Sequence, residues 1–132
     1  MGLRRKSREL ALQALYQAEI SGVEADIGLL CDNFRVAKKA ISYANVILEG
    51  IRAHQQEIDE IIRVHTKNWR VDRMSIVDRN LIRIGIFELI FQKELPDSVA
   101  INEAIEIAKN FSTDDSSSFI NGILDAIRDG KK

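Results

Sequence analysis

The sequence predicts an all-α protein. Three observations point there: apolar residues recur at helical spacing along most of the chain, a single proline interrupts 132 residues, and one internal segment is apolar almost all round. Hydrophobic residues make up 45% and charged residues 30%, a balance of folded globular proteins rather than disordered tails. The length suits one domain spanning 1–132 around one core.

Leu10, Ala11, Ala14, Leu15 and Ala18, with Leu12 and Tyr16 widening the stripe, predict a first helix from about Ser7 to Ile20, ended by Ser21-Gly22. Ile27 to Leu30 suggests a short helix capped by Asp26. Val36, Ala40, Tyr43, Ala44 and Ile47 predict a third, ended or bent at Gly50, and Ile58, Ile61, Ile62 and His65 a fourth from about Gln55 to Lys67. Ser75 to Lys93 carries so many apolar residues that it has almost no polar face, which marks a central helix enclosed by others. Arg83 and Glu88 within it must find internal ion partners, because charges on a buried helix need them. Pro96 breaks the chain, with Asp97 or Ser98 capping a sixth helix to about Phe111. The polar run Ser112 to Ser118 then supplies caps for a last helix through Phe119, Ile120, Ile123, Leu124 and Ile127.

The lone Cys31 forms no internal disulfide and completes no thiolate zinc site, which points to a reducing, cytoplasmic setting. The charged start is followed by an apolar stretch broken by Gln13, Gln17 and Glu19, unlike a secretory signal. No run approaches the roughly 18 apolar residues of a membrane span.

Catalytic constellations fail on spacing. His54 and His65 lie about 16 Å apart along a straight helix, too far to share a metal, and the residues three before them are Ile51 and Ile62 rather than glutamates. Glu103 and Glu106 share a helix side, but Asn102 and Lys109 offer them hydrogen-bonding and ion-pair roles. There is no phosphate-cradling glycine loop, nucleophile elbow or Cys-His pairing. Trp69 is expected to pack at a helix junction. No cofactor or metal is implied, and the protein is expected not to be an enzyme.

The net charge is −1, yet Arg4, Arg5, Lys6 and Arg8 crowd the first eight residues without an acid, leaving 15 basic against 20 acidic residues in the remainder. Clustered cations attract phosphates and release their counterions; four contacts to a single strand give a log–log salt slope of roughly −3. These cations also sit at the positive end of a helix dipole, a cost that a bound strand would offset. Replacing all four by Ala is expected to weaken RNA binding and leave thermal stability nearly unchanged.

Four segments in order carry a family resemblance. Arg4-Arg5-Lys6-Ser7-Arg8-Glu9 with Gln13-Ala14-Leu15-Tyr16, Asp78-Arg79-Asn80-Leu81-Ile82-Arg83-Ile84 with Phe87-Glu88-Leu89, Val99-Ala100-Ile101-Asn102-Glu103-Ala104 through Ala108-Lys109, and Phe119-Ile120-Asn121-Gly122-Ile123-Leu124-Asp125 resemble the NusB antitermination family. The resemblance implies about seven helices in two packed bundles, in a stand-alone, non-catalytic factor. Such a factor binds boxA, a short single-stranded RNA, with a small-subunit ribosomal protein (NusE). The pair joins an RNA polymerase antitermination complex during ribosomal RNA transcription. It implies RNA contacts at the basic start and at Asp115, Phe119 and Asn121 beside it, with Gly122 allowing close packing. Phe119 also fits a core stripe with Ile123 and Ile127. Asp78, Arg79 and Tyr16 are the expected partner contacts; Asp78 equally suits a helix start, and Tyr16 equally suits the core. Six acids against Lys109 alone between Asp97 and Ile127 mean that this face would lean on shape and hydrogen bonds. The competing class is a helical interaction module that self-associates, with a homodimer possible.

Overall fold

The computed structural model describes residues 2–66 and 74–130; Trp69, the junction candidate, lies outside them. Six α-helices and one π turn make up the described elements. Helix α1 (Gly2–Ser21) begins five residues earlier than the apolar pattern indicates, so the basic start is a helical turn and not a tail. It ends where Gly22, at φ 77°, donates its N–H to the Ala18 carbonyl at 2.8 Å, a left-handed stop that glycine adopts without a Cβ clash. Helix α2 (Ile27–Asn33) carries the predicted cap: the Leu29 N–H donates to Asp26 Oδ1 at 3.1 Å.

Helix α3 (Ala40–His65) joins the two helices that periodicity separates. Its only non-helical dihedrals fall at His54 (φ −122°, ψ 19°), not at Gly50. Gly50 instead receives the Phe87 ring; a Cβ there would stand 2.0 Å from Phe87 Cε1. At the kink, the His54 ring stacks on Phe91 at 4.0 Å between centroids. The two histidines therefore have local packing roles, His65 placing Nδ1 2.8 Å from the Ile61 carbonyl.

Helix α4 (Ile76–Ile86) is the central element, started by Ser75, whose Oγ accepts from the Asp78 N–H at 3.1 Å. It continues into a π turn, Phe87–Phe91. Every residue from Asn80 to Leu89 is buried, and α4 touches α1, α3, α5 and α6. Leu81, Ile82, Ile84 and Ile86 are essentially inaccessible; each such side chain contributes roughly 1.5–3 kcal/mol by leaving water. Helices α5 (Asp97–Phe111) and α6 (Asp114–Gly130) close the other side. Pro96 occupies the α5 cap position with no side-chain cap bond, so neither Asp97 nor Ser98 has that role. The stretch read as a loop to Ser118 shrinks to Ser112 and Thr113, because Thr113 Oγ1 accepts from the Ser116 N–H at 3.1 Å and starts α6 early.

The helices form an amino-terminal group, α1 to α3, and a carboxy-terminal group, α4 to α6, with α4 buried between them. Among the described residues no helix is long and apolar enough to cross a membrane.

Candidate nucleic-acid interface

Helix α1 runs antiparallel to α4, so its first turns meet the end of α4 and its last turns meet the start. The cations of the first turns have four different fates. Arg5 lays its guanidinium on Glu103 of α5 through Nε at 2.9 Å and Nη2 at 2.7 Å, while keeping about a third of its side chain exposed. Lys6 reaches Glu9 one turn on, at 3.6 Å, and is mostly in solvent. Arg4 lies over the Tyr43 ring, 3.9 Å from its centroid, and makes no ion pair among the described residues.

Arg8 departs from the sequence-based expectation. It is 3% exposed, held by both oxygens of Glu88 at 2.9 Å and by Glu103 at 3.2 Å. The Tyr43 hydroxyl donates to the same Glu88 carboxylate. As folded, Arg8 is closed off from a phosphate, because one turn of helix past Arg4 its side chain points into the α1–α4–α5 seam. Its charge serves the 1% exposed Glu88, which would otherwise be an unpaired charge in the core. Glu88 thus has the internal ion partner that its helix demanded. Burial pushes its carboxyl above the usual range against the pull of Arg8 and the Tyr43 hydrogen bond. Glu103, held by Arg5 above all, stays below that range despite its burial. No described buried side-chain polar atom lacks a partner.

The expected partner surface lies at the other end of α1. Tyr16 is 42% exposed and does not fill the core. Arg79 pairs with Glu19 and donates to the Met74 carbonyl at 3.3 Å. Glu19 also accepts from Asn80 at 2.8 Å and Arg83 at 3.2 Å. Burial works to raise the Glu19 carboxyl, but the Asn80 and Arg79 hydrogen bonds outweigh it and hold it below the usual range. Arg83 completes its pairing with Asp59 of α3 at 2.8 and 2.9 Å. This network borders a cavity of about 720 Å³ between α1, α3 and α4.

Asp78 faces α6: it accepts from Ser112 Oγ at 2.8 Å and Ser116 Oγ at 2.7 Å, tying the α5–α6 corner to the start of α4. Asp115 and Asn121 are exposed on α6, and Phe119 is half-buried against the core. Gly122 has open space where a Cβ would stand, so it makes no close packing among the described residues. The structure therefore splits the candidate RNA set. Arg4 to Arg8 gather around Glu88, whereas the start of α6 gathers around Asp78, ten residues earlier on α4 and about 15 Å away at helical rise.

Glu19, Tyr43 and Asp59 belong to these sites without having stood out in the sequence as site residues, and Glu103, weighed there as one of two paired carboxylates, belongs to them as an ion partner. A signal existed: the buried positions of Arg83 and Glu88 demand counter-charges, although their identity is not local information. Glu103 is engaged by Arg5 and Arg8, and Glu106 by Lys109 at 3.1 Å, so the two glutamates form no paired carboxylate site. Among the described residues no cluster of three metal-ligating side chains occurs.

Known proteins share this architecture along nearly its whole length. Transcription antitermination protein NusB of Myxococcus xanthus is 44% identical over 133 residues, covering 96% of this chain and 95% of the relative. That of Geobacter sulfurreducens is 45% identical over 130 residues, covering 96% and 94%. NusB of T. maritima superposes with a TM-score of 0.84 at 38% identity, covering 96% of this chain and 91% of that one. A crystal structure of antitermination factors NusB and NusE in complex with double-stranded RNA gives 0.83 at 29% identity, with 98% of each chain covered. The profile of the NusB family matches residues 5–129, and the chain belongs to that family.

Proposed function

We propose that this protein is a transcription antitermination factor that binds boxA-type single-stranded RNA together with the ribosomal protein NusE. It acts within an RNA polymerase antitermination complex during ribosomal RNA transcription, in the cytoplasm and without catalysis. The observation that carries this reading is the match to NusB antitermination proteins along nearly the entire chain. The geometry supports it with a helical start that holds Arg4, Arg5 and Lys6 at the surface. Arg8 supports them from within, so three cations remain and the expected salt slope falls to about −2. Asp115, Phe119 and Asn121 form the second part of the RNA face. A strand of several nucleotides bridges the two parts, within the range that single-strand binders cover. Tyr16 and the Glu19–Arg79 groove receive the protein partner, whose basic residues meet the local carboxylates. Asp78 serves that surface indirectly, by holding the α5–α6 corner.

Titration of a labelled boxA-type RNA with the protein, alone and with NusE, tests the reading. Preference over scrambled RNA that strengthens with NusE is expected. Equal binding of boxA-type and scrambled RNA in both settings would refute it. The same sequence as a duplex is a necessary third arm, since the solved NusB–NusE relative holds double-stranded RNA. One observation favours self-association as a second reading: Tyr16, Ile20 and Val23 expose apolar surface together at the end of α1. Light scattering decides it, a dimer mass that persists in the presence of NusE being the outcome that favours it.

A further inference from the structure

Behind the start of α1 lies a second cavity, of about 860 Å³, bounded by α1, α3, the π turn and α5. Leu95 and Val99 supply an apolar side, Tyr43 a ring, and Asn102 an exposed amide with no side-chain hydrogen bond among the described residues. Two cations flank it, Arg4 and Lys93, and neither has an ion pair among the described residues. Arg5, Lys6 and Arg8 nearby are all paired. Arg4 and Lys93 therefore bring positive charge to a space that also offers apolar contact and one donor–acceptor group, beside the carboxylates of Glu94 and of Glu103, the latter already held by Arg5 and Arg8. That combination suits a nucleotide: a flat base needs an apolar or aromatic face and an amide for its edge, and its phosphate needs cations. The floor is preorganised, because Tyr43 gives its hydroxyl to Glu88 and cannot swing away without breaking the buried network.

We infer that this cavity captures a single unstacked nucleotide at the end of the RNA strand that reaches the start of α1, its base against Leu95 and Val99 and its phosphate between Arg4 and Lys93. Arg4 belongs both to the basic start and to the cavity wall, which makes the two surfaces continuous. The inference rests on the RNA-binding reading above and extends its footprint around the end of α1.

The test compares a minimal boxA-type RNA with the same RNA lengthened by uridines at either end, by anisotropy in the presence of NusE. The wild type is expected to bind one lengthened RNA roughly tenfold more tightly, from one apolar base contact together with added phosphate contacts. Lys93→Ala combined with Asn102→Ala should abolish that gain while leaving the minimal RNA and the melting temperature unaffected, since both side chains are exposed. Absence of a gain from either extension overturns the inference, as does equal weakening of minimal and lengthened RNA in the double variant. Failure of the minimal RNA to outbind a scrambled one strikes at the functional reading itself, which keeps the two outcomes apart.

Discussion

The two ends of α4 are each occupied by a cluster of charges, and the clusters differ in depth. At the Glu88 end, Arg8 and Glu88 are almost wholly buried, and Arg5 and Tyr43 seal them. At the Asp78 end, Glu19 and Asp59 each keep about 30% of their side chains exposed, and the network borders an open cavity. Depth changes what an ion pair does. A buried pair is costly to break because either half alone is stranded in a poor dielectric, whereas a half-exposed pair exchanges with water and with another protein at little cost. The first cluster thus holds α1 in place so that its outer cations face outward, and the second can rearrange when a partner docks.

Arg8→Ala should break this contrast most severely. It strands Glu88 and is expected to cost about 3–5 kcal/mol, a melting temperature lower by roughly ten degrees or more. A change of only a degree or two would mean that the cluster is no anchor. This revises the expectation that all four basic residues can be replaced without a stability loss. Asp78→Ala comes next, at about 1–3 kcal/mol for two hydroxyl bonds to a charged acceptor. It should also weaken RNA binding by loosening the α6 start; intact RNA affinity in a destabilised variant would detach Asp78 from that role.

Acid titration separates the clusters further. Glu103 and Glu19 have carboxyls lowered in the folded state. Their contribution is present above the unfolded value of about 4.3 and is lost as pH falls from there toward their folded values. Glu88, raised by burial, works in the opposite sense, contributing below the unfolded value and losing that contribution as pH rises through its folded one. Glu103→Gln and Glu19→Gln should each flatten the acid limb of melting temperature against pH; an unchanged limb would show that neither carboxylate governs it. The smallest stability effect belongs to Arg4→Ala with Lys6→Ala, within about 0.5 kcal/mol. The same change should make the salt slope of RNA binding shallower by about 1.4, and an unaltered slope would remove these residues from the interface.

Much of the architecture was readable from local pattern. The enclosed central helix, the Asp26 cap, the stop at Gly22 and the need of Arg83 and Glu88 for partners all follow from residue spacing, since burial on every side leaves no polar face. The misread boundaries also have local causes. Polar residues carry no apolar periodicity, so the helical turns at Gly2 to Lys6 and Asp114 to Ser118 were invisible to it. Gly50 reads as a helix breaker although it is a socket for Phe87, thirty-seven positions away in sequence and in contact only after folding.

The same division holds for the candidate site. Chain order alone settles that four cations crowd one helical end, that the body is acidic and that the motifs are those of the NusB family, because composition and spacing survive without coordinates. Which cations face water is decided by packing. Arg4 and Arg8 are chemically alike and one turn apart, yet one lies over an aromatic ring at a cavity and the other is sealed between two glutamates, one from the π turn and one from α5. Only the tertiary structure brings those carboxylates, eighty and ninety-five residues further along the chain, to the seam that separates a surface charge from a buried one.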